Sequence, residues 1–188
     1  MATSTTFGIE GADGIEPTCC CDGNVVYVLY VLDDYREISR PSRKMISAVA
    51  HAILESLVAM IAGGSDGRVF KDQDGRPWVE IAGASLAASI SHSRNVIAVV
   101  LARQADLGVG IDVEYIDPRR PVAEMAVQIG MPSSTEIGDF YDGWCRYEAL
   151  FKATGIVDPE QQGRLVEFME IDLHMPAGFA GKLVVGRG

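Results

Sequence analysis

Ile111-Asp112-Val113-Glu114 places two carboxylates two residues apart, alternating with apolar neighbours. On a strand, successive side chains point to opposite faces, so Ile111 and Val113 enter a core while Asp112 and Glu114 project together from the other face. Two carboxylates on one face repel, and the pair is costly unless water solvates it or a cation bridges it. Two or three carboxylates, with water and substrate phosphates, are how magnesium is usually held. A wet strand face is the commoner meaning of an isolated Asp-x-Glu, so the pair needs a partner. Trp144-Cys145-Arg146-Tyr147-Glu148-Ala149-Leu150-Phe151-Lys152 offers one, because Glu148 and Lys152 are four apart and share one face of a helix. Alone, that spacing makes an ordinary surface ion pair. Packed beside the Asp112 strand, Glu148 becomes a third oxygen ligand or a general base, and Lys152 a donor to a phosphate held by the same metal. Ser89-Ile90-Ser91-His92-Ser93 is the third feature, read as a polar turn whose hydroxyls, imidazole and backbone N–H groups can cradle phosphate oxygens. A serine hydrolase would need a strained G-x-S-x-G elbow, which is absent. Gly108-Val109-Gly110 lacks the third glycine of a nucleotide fingerprint, and no G-x-x-x-x-G-K-[ST] occurs.

The elements that must position these residues read as follows. Asn24 to Leu32 is β-branched, aromatic and nearly all apolar, the pattern of a strand buried on both faces. Pro41 near a first turn and the run from Ser42 to Met60 predict a helix, with Met45, Val49, Ile53, Leu57 and Met60 as one apolar stripe and Gly63-Gly64 as its end. Arg40, Arg43 and Lys44 lie at its start. Arg68 to Phe70, Arg76 to Glu80 and Val96 to Leu101 read as strands. After Gly108 to Glu114 come helical stretches near Ala123 to Ile129 and Ser134 to Thr154, then strands at Leu165 to Leu173 and Lys182 to Val185. The expected architecture is therefore α+β, with two strand-helix-strand halves over residues 24–106 and 107–188, after a flexible lead-in over residues 1–23 that is rich in Gly, Thr and Asp.

A chain of 188 residues, 48% hydrophobic and 22% charged, can bury a core large enough to fix a site without disulfides. Its 16 Lys plus Arg against 26 Asp plus Glu give a net charge of −10, which argues against a nonspecific nucleic-acid or anionic-membrane binder. No apolar run reaches membrane-spanning length, and the polar start lacks a signal-peptide pattern, so a cytoplasmic protein is expected. Cys19, Cys20, Cys21 and Cys145 read as reduced thiols, since three adjacent cysteines neither pair readily nor close a metal site.

Taken in order, Asp74-Gly75-Arg76-Pro77, Ser89-Ile90-Ser91-His92-Ser93, Gly110-Ile111-Asp112-Val113-Glu114 and Trp144 to Lys152 resemble the motifs of the 4′-phosphopantetheinyl transferase superfamily, in its monomeric, surfactin-synthetase-activating type. The resemblance spans most of the chain. It implies a pseudo-dimer of two similar halves with coenzyme A in the cleft between them. It also implies magnesium-dependent transfer of the phosphopantetheine arm from coenzyme A to a serine of an apo acyl or peptidyl carrier protein, releasing adenosine 3′,5′-bisphosphate. By position, Asp112, Glu114 and Glu148 would hold the magnesium, and Glu148 would take the serine proton. Lys152 would steady the phosphates, and Ser91, His92, Arg43, Arg76 and Arg40 would contact coenzyme A. Tyr147 departs from the pattern, standing where the family usually has a lysine before the glutamate. Two other readings stay open: a family member that binds coenzyme A or a carrier without efficient transfer, and an unrelated acidic α+β scaffold whose Asp112 and Glu114 are merely solvated.

Overall fold

A computed structural model of the chain describes residues 20–21, 23–32, 42–73, 75–165 and 167–187. Arg40, expected to contact coenzyme A, lies outside the described residues, as does Pro41. The chain divides into two compact units between Leu107 and Gly108. Both are mixtures of helix and antiparallel sheet, in agreement with the expected α+β class.

The first unit is a six-stranded antiparallel sheet. It contains β1 (Cys20–Cys21), β2 (Val25–Val31), β3 (Gly67–Lys71), β4 (Pro77–Ile81), β5 (Ala84–Ser93) and β6 (Val96–Ala102), ordered β1-β2-β6-β5-β4-β3. Residues 20–21, within the expected lead-in, thus pair with β2 as a short edge strand. The apolar, β-branched run of β2 earns a central place beside β6, whose seven residues are all buried. Helix α1 (Arg43–Ala62) lies on the sheet. It starts where the Ser42 hydroxyl accepts the Met45 N–H and ends at Gly63, whose left-handed backbone lets its N–H reach the Ala59 carbonyl. The buried face is Ile46, Ala50, Ile53, Leu54, Leu57 and Val58, against Val28, Tyr30, Val79, Ile97 and Val99. Each large aliphatic side chain so enclosed contributes roughly 1.5–3 kcal/mol. This face is rotated from the expected stripe: Met45 and Val49 pack at its margin and Met60 is exposed. The helix is apolar around most of its circumference, so spacing alone does not choose the side that meets the sheet. By length and hydropathy α1 could also cross a membrane, yet this face is enclosed by the unit's own strands.

A second difference concerns Ser89 to Ser93, which is the end of β5 and not a turn. Its Ser-x-Ser-x-Ser pattern has the two-residue period of a strand: Ser89 and Ser91 are buried, whereas His92 on the opposite face is exposed. The turn follows at Arg94 and Asn95, with Arg94 at φ 54° and the Asn95 amide donating to the Leu32 carbonyl.

The second unit holds β7 (Leu107–Tyr115), α2 (Val122–Gln128), α3 (Ile137–Thr154), α4 (Pro159–Gln162), β8 (Phe168–Asp172) and β9 (Phe179–Arg187), with a sheet ordered β7-β9-β8. Helix α3 packs on this sheet, Ala149 and Leu150 meeting Val184, while Phe140 and Tyr141 form a second core with Ala126 of α2. Polar contacts fix the helix laterally. Lys182 of β9 reaches both Asp142 of α3 and Asp172 of β8, and Arg146 Nε donates to Glu170 Oε1 at 2.6 Å.

Candidate functional site

The closeness of α3 to β7 is set by glycine. A β-carbon at Gly110 would lie 1.8 Å from the Ala149 carbonyl oxygen, and one at Gly108 would lie 3.2 Å from that of Ala153. The two glycines share the strand face that carries Asp112 and Glu114. Bare backbone therefore admits the helix, and the carboxylates emerge from the same face beside its last turns.

There Lys152 Nζ donates to Asp112 Oδ1 at 2.7 Å and to the Ile111 carbonyl at 3.0 Å. Asp112 is buried, and its second oxygen is also shut away from solvent. Glu114 accepts from Arg120, whose Nη2 lies 3.3 Å from Oε2. Glu148, half-buried on α3, has its carboxyl pKa raised: burial disfavours its charge most, the fields of Asp112 and Glu114 add to the rise, and Lys152 opposes it. Three carboxylates thus feel one another within a single patch that also holds two cations. Lys152, expected beside Glu148 as an i,i+4 partner, makes its shortest contact with Asp112 across the strand.

Among the described residues, no three His, Cys, Asp or Glu side chains form a ready-made metal cluster, and Lys152 and Arg120 stand against two of the carboxylates. The donor set nonetheless fits a hard divalent cation: every candidate ligand is a carboxylate oxygen, and such a cation would offset the fields of Asp112 and Glu114 that add to the effect of burial on Glu148.

Cys145 belongs to the same patch, though nothing in the sequence marked it. Its thiol is fully buried, and burial, then Asp112 and Glu114, push its pKa far above the ordinary thiol range. In the native protein Cys145 is expected to resist iodoacetamide at pH 8 for hours and to react within minutes once urea unfolds the chain. Peptide-resolved mass spectrometry of native labelling would show the opposite if this packing were wrong. Tyr147, in the place of the expected lysine, turns away from cation chemistry. Its hydroxyl donates to the Val157 carbonyl at 2.8 Å and its ring lies 6.1 Å from that of Trp144.

The other expected residues lie in the first unit. His92 lines a pocket of about 200 Å³ together with Gly75, Pro77, His51 and Lys71. Ser91, one residue earlier on β5, is buried on the other face. Arg43 opens α1, and Arg76 follows a tight turn in which Asp72 Oδ1 accepts the Arg76 N–H. Neither arginine lines the pocket. His51 and Lys71 escaped the sequence reading, since α1 and β3 are distant in the chain and only folding brings them to His92.

No protein-family model matches this sequence, and no curated protein matches it.

Proposed function

We propose that the chain is a magnesium-dependent 4′-phosphopantetheinyl transferase, a cytoplasmic monomer that loads apo acyl or peptidyl carrier proteins from coenzyme A. The observation that carries this reading is the convergence of Asp112 and Glu114 of β7 with Glu148 and Lys152 of α3 in one patch. In this reading the fold is the pseudo-dimer of that superfamily, with coenzyme A bound in the cleft between its halves.

Asp112, Glu114 and Glu148 are the residues that would hold magnesium, which supplies charge to offset the pyrophosphate. Glu148, the carboxylate that α3 brings to the patch, takes the proton from the carrier's serine hydroxyl. The serine oxygen then bonds to the phosphorus that carries the pantetheine arm. The bond from that phosphorus to the bridging oxygen breaks, and adenosine 3′,5′-bisphosphate leaves with the electron pair. Lys152 donates to the phosphate oxygens as their charge grows. Arg43, Arg76, Ser91 and His92 contribute to holding coenzyme A, His92 from a pocket that His51 and Lys71 also line.

The test is intact-mass analysis of a panel of apo acyl and peptidyl carriers incubated with the protein, coenzyme A and magnesium. A phosphopantetheine mass gain that a chelator abolishes is expected. No gain on any carrier would overturn the transferase reading. If coenzyme A still raised the melting temperature in that case, the chain would be a binder without transfer.

A further inference from the structure

The pairing of Glu114 with Arg120 assigns a role to a residue that the motifs do not include. We propose that Arg120 is an exchangeable counter-ion of the acidic patch: it holds Glu114 while the patch lacks a divalent cation, and turns to the phosphate groups of the anionic substrate when a cation takes Glu114. The inference rests on the reading of Asp112, Glu114 and Glu148 as a cation site, and it deepens that reading.

Three observations carry it. First, Arg120 is aimed by its surroundings. The loop between β7 and α2 is clamped by Tyr141, whose hydroxyl accepts the Asp117 N–H at 3.0 Å and donates to the Asp117 carbonyl at 3.2 Å. The Arg120 N–H then bonds that same carbonyl at 3.1 Å, and its guanidinium lies 5.8 Å from the centre of the Tyr141 ring. Second, the pair is loose. Its contacts with Glu114 are 3.3 and 3.5 Å, and the arginine side chain is 35% exposed, so the guanidinium can exchange partners at little cost. Lys152, by contrast, is held at 2.7 Å to a carboxylate that is 7% exposed. Third, the neighbouring Arg119 is engaged elsewhere: its Nε and Nη2 both bond Asp117, so of the two arginines it is Arg120 that pairs with a carboxylate of the patch. A planar fork of N–H donors suits both a carboxylate and a phosphate, which is what exchange between them needs.

Manganese, read by electron paramagnetic resonance, is the probe for the patch, and coenzyme A with saturating magnesium, read by calorimetry, is the probe for the anion. Arg120→Gln should bind manganese alone about three- to fivefold more tightly than the parent protein, because the guanidinium that competes with the cation for Glu114 is gone. The same variant should bind coenzyme A about three- to fivefold more weakly. Arg120→Lys, which keeps the charge and loses the fork, should fall between on both. Arg119→Gln removes one charge at the adjacent position and should leave both affinities within about twofold. Unchanged or weaker manganese binding in both Arg120 variants would overturn the proposal while leaving the cation site standing. Equal tightening in Arg119→Gln would overturn it too, by showing an effect of net charge. If the parent protein binds no manganese, the cation-site reading itself falls and takes the exchange role with it.

Discussion

Glu148→Gln is expected to lose about 10²- to 10⁴-fold in transfer rate while melting at a higher temperature than the parent protein at neutral pH. The two effects have one cause. Folding places the Glu148 carboxylate in a partly buried position near Asp112 and Glu114, and this raises its pKa above the ordinary glutamate value. At a pH below that ordinary value, near 4, the group is neutral in both folded and unfolded chains and imposes no electrostatic penalty. As pH rises through the folded-state pKa, the native protein must carry a charge it disfavours, and stability falls relative to a neutral isostere. Glutamine escapes that penalty, so the variant's advantage in melting temperature should be smallest at pH 4 and grow as pH rises toward neutrality. Rates and melting curves measured from pH 4 to 8 decide it. Full activity in the variant removes Glu148 as the base. A variant less stable than the parent at pH 7 would show that the carboxylate is held by favourable contacts and is not strained.

What the sequence made legible were the parts governed by local periodicity. Alternation in Ile111-Asp112-Val113-Glu114 put both carboxylates on one face, and the four-residue step from Glu148 to Lys152 put both on one side of a helix; both expectations agree with the structure. Ser89 to Ser93 misled because serine is common in turns, although its period of two was that of a strand. Contacts across the chain were illegible. The Lys152–Asp112 pair joins residues 40 apart, and His51 reaches the His92 pocket from a helix whose spacing advertised only apolar packing. Arg120 was in plain view, six residues after Glu114, but only the Tyr141 clamp turns it toward the carboxylates. Gly108 and Gly110 carried a signal that could have been read. Two glycines on the face that then bears Asp112 and Glu114 mean that something must approach that backbone closely.

Replacing Gly110 by alanine is therefore expected to be among the most damaging single-methyl changes in the chain. The new β-carbon would lie 1.8 Å from the Ala149 carbonyl oxygen, 2.8 Å from its carbon and 2.9 Å from the Ala153 nitrogen. All three are backbone atoms inside α3, so no side chain can swing aside and the helix must move bodily. Ordinary contact begins near 3.4 Å, which demands a shift of about 1.6 Å. Helix α3 resists that shift through its core contacts, through Lys182 with Asp142 and through Arg146 with Glu170. A cost of about 3 kcal/mol or more follows, lowering the melting temperature by about 6 to 12 °C. Any shift the helix does make carries Lys152 away from Asp112, so transfer should fall further than the loss of folded protein explains. Two other glycines calibrate the result. Gly108→Ala, with 3.2 Å to the Ala153 oxygen, should cost far less. Gly138→Ala, on an exposed turn of α3 with open space around it, should stabilise by up to about 1 kcal/mol through helix propensity. Melting temperatures ranked Gly138→Ala, parent, Gly108→Ala, Gly110→Ala would establish that α3 rests on bare strand backbone. A Gly110→Ala protein melting within 2 °C of the parent would mean that the helix stands farther off, and that the carboxylates and Lys152 are not held together in this way.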